Sequence, residues 1–129
     1  MKKFLFLIII GLFVVGYAVS SDAGVSSAGW KALAQNIAID YQGKIISIEQ
    51  LNGTTCWVVL SSRVSESEAL KISERIGDYI RNNTKETPSV HVFVSGKHIA
   101  IARPHGKTYK AKYEIRNWSP DVFNGEYRP

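Results

Sequence analysis

A single cysteine, Cys56, stands in the chain, so no disulfide can close within it and the fold must rest on packing alone. That cysteine lies far from any leader cleavage point, which excludes a lipoprotein anchored through it. It sits in the run TTCWVVL, a strand-like setting that suits a small buried hydrophobe better than a reactive thiol. The sequences H-E-x-x-H, G-x-S-x-G and S-x-x-K are also missing, and with them the usual signatures of zinc peptidases and of serine hydrolases. Gly96-Lys97 has no upstream glycine of a phosphate loop and no Ser or Thr after the lysine, so it is not one. No cofactor is implied.

One long apolar run is present, at the N-terminus. Lys2 and Lys3 precede residues 4–19, sixteen residues without a charge. This is longer than the roughly 7–15 residues of a secretory h-region and shorter than the roughly 20 of a comfortable membrane span. Both a cleaved signal peptide and a retained anchor fit, and in either case the basic end stays inside while the remainder is exported. The expected organisation is therefore a signal peptide or membrane anchor over residues 1–21, a flexible linker over 22–29, and one globular domain over 30–129 with an aromatic C-terminal tail. About 100 residues support one modest core, not two.

Periodicity gives that domain its class. Apolar residues at 30, 33, 34 and 37 form a helical stripe. Two β-prone runs flank Asn52-Gly53, a two-residue hairpin signal that would pair Ile48 with Trp57 and Ile46 with Val59. Ser65-x-x-Glu68 reads as a capping box. It opens a helix that buries Ala69, Ile72, Ile76, Tyr79 and Ile80 and shows Lys71, Glu74, Arg75, Asp78 and Arg81 to water. Residues 89–102 read as a second hairpin turning at Gly96-Lys97. The fold class is α+β: a small, mainly antiparallel sheet of two hairpins in helix-hairpin-helix-hairpin order, with the helices on one face.

All three histidines, His91, His98 and His105, fall seven residues apart. A turn at Gly96-Lys97 places His91 and His98 four residues apart along the sheet, roughly 13 Å. One zinc ion needs ligand bonds near ~2.0–2.1 Å, so this spacing predicts no metal site.

Charge is the remaining lead. Of the formal +5, residues 96–118 carry +5 while residues 21–95 carry −1. Arg103, Lys107, Lys110, Lys112 and Arg116 alternate with Tyr109 and Tyr113, and Trp118 follows. Interleaved basic and aromatic residues suit nucleic acid in a cytoplasmic protein, but export removes that partner. As a strand, residues 110, 112, 114 and 116 share one face and 109, 111, 113 and 115 the other. The pattern describes an edge strand whose lysines discourage aggregation, or one that steers an anionic partner: lipid, polymer or acidic protein. Arg103, Lys107, Lys110, Lys112, Arg116, Tyr109, Tyr113 and Trp118 are the candidate binding site. In the tail, Trp118, Phe123 and Tyr127 either fold back on the sheet or form a binding surface.

The leading expectation is a non-enzymatic binding or accessory module of the cell envelope, periplasmic or extracytoplasmic, held by residues 4–21 if they stay. One alternative is a small envelope enzyme or metal-binding protein using Cys56 and the histidines. The other is a structural subunit of a membrane complex.

Overall fold

A computed structural model describes residues 24–118. The proposed export segment, part of the linker and the end of the aromatic tail lie outside the described residues. Among the described residues no helix is long and apolar enough to cross a membrane.

Among the described residues two helices and five strands follow in the order α1 (Ser27–Asp40), β1 (Ile45–Leu51), β2 (Thr55–Leu60), α2 (Glu66–Thr84), β3 (Ser89–Val94), β4 (Lys97–His105) and β5 (Thr108–Arg116). The strands lie in the order β1-β2-β3-β4-β5 in one mixed sheet. Only β2 and β3 pair in parallel, because a helical crossover, α2, joins them where a tight turn joins neighbours elsewhere. The fold is α+β.

Helix α1 starts earlier than the sequence pattern suggests. Ser26 accepts a hydrogen bond from the Gly29 amide, so residues 27–29 of the expected linker are helical. Ser65 caps α2 in the same way through the Glu68 amide. The glutamate does not complete the box; its carboxylate instead meets Lys44 at 2.5 Å.

One continuous core joins both helices to one face of the sheet. Leu33, Ala34 and Ile37 of α1 and Ala69, Ile72, Ile76 and Ile80 of α2 pack on Ile48, Cys56, Val58, Leu60, Val90, Val92, Ala100, Ala102 and Tyr109. Tyr79, expected inside, is half-buried at the margin. At Gly77 α2 lies directly against β5: a Cβ there would lie 2.2 Å from Cδ2 of Tyr109.

Both hairpins depart from the expected register. Asn52 makes an Asx turn, its Oδ1 accepting from the amides of Thr54 and Thr55. Leu51 therefore pairs with Cys56, one residue into β2, and a bulge at Glu49 sets Ile48 opposite Val58 and Gln50 opposite Trp57. The bulge changes the alternation, so Ile48 and Trp57 end on opposite faces rather than as partners. The β3–β4 turn is Ser95-Gly96, not Gly96-Lys97. Their φ angles are +53° and +76°, the positive pair of a type I′ turn, and Val94 closes it against Lys97.

Candidate functional site: the basic edge strand

Strands β4 and β5 form a two-stranded arm that outreaches its neighbours. Ladder pairing of β3 with β4 stops at Val90↔Ala102, whereas β4 and β5 continue through Arg103↔Lys110 and Pro104↔Tyr109 to His105↔Thr108. Pro104 is tolerated because β3 has ended by that point and asks no amide of it. His105 is the last residue of β4.

The arm carries the charged residues singled out from the sequence. Lys110, Lys112, Glu114 and Arg116 share the face opposite the helices, together with Arg103. Between them Ile101, Arg103, Pro104, His105, Lys110, Ala111 and Lys112 line a shallow concavity of about 510 Å³. Arg103 and Arg116 both approach Glu114, at 3.3 and 2.5 Å. The hydrogen bonds from Arg116 and Arg103 hold the Glu114 carboxyl below its ordinary range, so this glutamate stays charged and pairs with both arginines, offsetting one of their two charges. Lys107, Lys110 and Lys112 are exposed and make no hydrogen bond or ion pair among the described residues.

The nearby carboxylates of α2 are occupied as well. Asp78 and Glu74, expected to face water, reach across to β5. Asp78 Oδ1 accepts from the Tyr109 amide and Glu74 Oε2 from the Ala111 amide, both at 2.8 Å. The lysines thus form the part of the patch that makes no ion pair among the described residues.

The aromatic members of the sequence-derived set separate. Tyr109 is a core residue, its hydroxyl donating to the Pro88 carbonyl at 2.8 Å, and burial raises its pKa to about 12. It is not part of a surface. Tyr113 remains exposed on the outer half of β5. Trp118 turns back over the sheet and stacks on Trp57, with ring centroids 5.0 Å apart and planes 12° from parallel. Arg116 lies 4.7 Å from the Trp118 ring centre, a cation–π contact.

Beneath Trp118 the structure overturns the expected separation of the histidines. The Ser95-Gly96 turn, by pairing Val94 with Lys97, sets His98 opposite Phe93. His91 and His98 become diagonal neighbours instead of lying four residues apart, and His91 Nδ1 and His98 Nε2 hydrogen-bond at 3.0 Å. Both rings are buried. Burial, then the neighbouring His98, Arg116 and Arg103, pushes the His91 pKa down to about 4; burial lowers His98 too, with the Glu114 backbone opposing. The pair is neutral at pH 7 and its facing nitrogens are bonded to each other. Among the described residues no group of three or more His, Cys, Asp or Glu could hold a metal.

Cys56 stands on the other side of the sheet, in the helix-facing core. Burial raises its thiol to about 12, so it is protonated at neutral pH and out of reach of the histidines. No thiolate–imidazole pair forms. The histidine contact follows from the turn at Ser95-Gly96, one residue before the expected Gly96-Lys97. No protein-family model, curated protein or solved structure matches the chain.

Proposed function

We propose that the chain is a small non-enzymatic binding or accessory module of the cell envelope, exported or membrane-anchored through residues 1–21, and that it engages an anionic partner along residues 103–116. The observation that carries this reading is the set Lys107, Lys110 and Lys112: three exposed cations that make no ion pair among the described residues. Charge left uncompensated on one strand steers association and sets partner choice. The buried thiol of Cys56 and the mutually bonded histidines argue against chemistry at those residues.

The test uses the full chain, purified, with two probes: vesicles containing phosphatidylglycerol and immobilised polyglutamate. Replacing Lys107, Lys110 and Lys112 together by Gln removes three exposed interactions worth ~0.2–1 kcal/mol each, or roughly three- to a hundred-fold in affinity. Added salt weakens the parent in the same direction. Retention of both probes unchanged by the triple substitution sinks the basic-strand reading. The mass of the mature N-terminus separately decides between cleavage and anchoring.

A further inference from the structure

The edge of β5 is closed over half its length and open over the rest. In the β4–β5 hairpin, closed by His105↔Thr108 across two residues, the amides of 109, 111 and 113 point away from β4. Helix α2 answers the first two, with Asp78 for Tyr109 and Glu74 for Ala111. These acceptors are four residues apart, one turn of helix per two residues of strand. The next turn back presents Leu70 and Lys71, neither of which has a side chain that accepts. The Tyr113 amide accordingly has no side-chain acceptor among the described residues. Beside it Tyr113 is 57% exposed and Ile115 84% exposed, the largest value of any big apolar side chain described.

We propose that residues 112–116 are a docking edge, to which an extended acidic segment of a partner protein adds as a sixth strand. This deepens the functional reading above and rests on it for the sign of the partner's charge. Strand addition couples main-chain hydrogen bonds to alternating side-chain contacts, and β5 offers a different surface on each side. Lys110 and Lys112 line one face, whereas Tyr113 and Ile115 line the other. The complementary segment alternates acidic with apolar residues. A second copy of β5 fits poorly, since residues 108–116 carry three cations and one anion and would oppose their own charge. The bulge opposite Ile99, which places both Glu114 and Ile115 between Tyr113↔Ala100 and Arg116↔His98, breaks the regular ladder and keeps the docking edge short. Such interruptions stop edge strands from pairing indefinitely.

The probe is a synthetic eight-residue peptide alternating glutamate and valine, compared with the same peptide N-methylated at every second residue. Methylation removes its strand hydrogen bonds and keeps its charge. Titration into the full chain is followed by the amide resonances of β5. The unmodified peptide binds; methylation weakens it about fivefold or more, since one lost hydrogen bond is worth ~1 kcal/mol. Tyr113→Pro, which deletes the outward amide, weakens it similarly, and Tyr113→Ala, which keeps the amide, does so less. Equal binding of both peptides overturns strand addition, whatever the folding of the proline variant. In that case a loss on the Lys107, Lys110, Lys112 triple substitution leaves the basic-strand reading standing. Lysine-dependent capture of phosphatidylglycerol vesicles without peptide binding also overturns the docking edge alone. Failure of peptide, polyglutamate and vesicles together overturns both.

Discussion

A proton placed on His91 would lose its water and meet Arg116 and Arg103 across the pair, with only Glu114 to compensate. The unfolded chain takes up that proton near pH 6.5, while the folded chain resists it down to about pH 4. Between these values the unfolded state binds more protons, so stability falls as pH falls. From pH 7 to pH 5 the loss attributable to His91 is about 2 kcal/mol, readable as a drop in the urea midpoint. His91→Gln flattens that slope, and an unchanged slope means that the pair is not its source. The loss of Glu114 pairing adds to acid sensitivity only below the ordinary carboxylate range. At this scale the residues that matter were visible in the sequence: the histidines, the lysines and the single cysteine. Their distances were not. A one-residue shift of the turn brought the two histidines from four residues apart along the strand to two, close enough for their rings to bond at 3.0 Å, and an alternating pattern does not specify that shift.

Helix α2 does more for β5 than cover it. Its Ile72, Ile76 and Ile80 stripe was legible because helical periodicity is strong, and so was its serine cap. The glutamate and aspartate on its flank looked like solvated charge, since the sequence does not reveal that a strand edge will lie beside them. The closeness of helix and strand is set by Gly77, where a methyl group has no room against the Tyr109 ring. That ring cannot retreat easily, being tied through its hydroxyl to Pro88. Gly77→Ala should therefore destabilise by about 1–3 kcal/mol, although alanine is the better helix former by ~1 kcal/mol in open surroundings. Urea unfolding measures the balance. A stabilised variant would mean that the helix can lift from the edge without penalty, and that Asp78 and Glu74 do not hold it. The capping serines behave more simply: Ser65→Ala should cost about 1 kcal/mol.

Across the whole molecule the α+β class followed from counting elements, and three of the four strand pairings are antiparallel. The joining of the two hairpins was not legible, because parallel pairing leaves no local turn signature and is decided by how α2 packs. That single parallel junction divides the chain in an instructive way. Helix α1 with β1 and β2 forms one contiguous piece; α2 with β3, β4 and β5 forms the other. Their strands meet only where Thr55 to Leu60 run beside Ser89 to Val94. The loop between Leu60 and Ser65 is then a natural place to cut. Two polypeptides separated there should recombine into the native sheet when mixed, detectable by return of cooperative unfolding, whereas a cut inside β4 should not be repaired. The molecule is in this sense a heterodimer written as one chain: its covalent connection supplies local concentration, and its specificity lies in a six-residue seam, the shared core behind it and the Lys44–Glu68 ion pair across it.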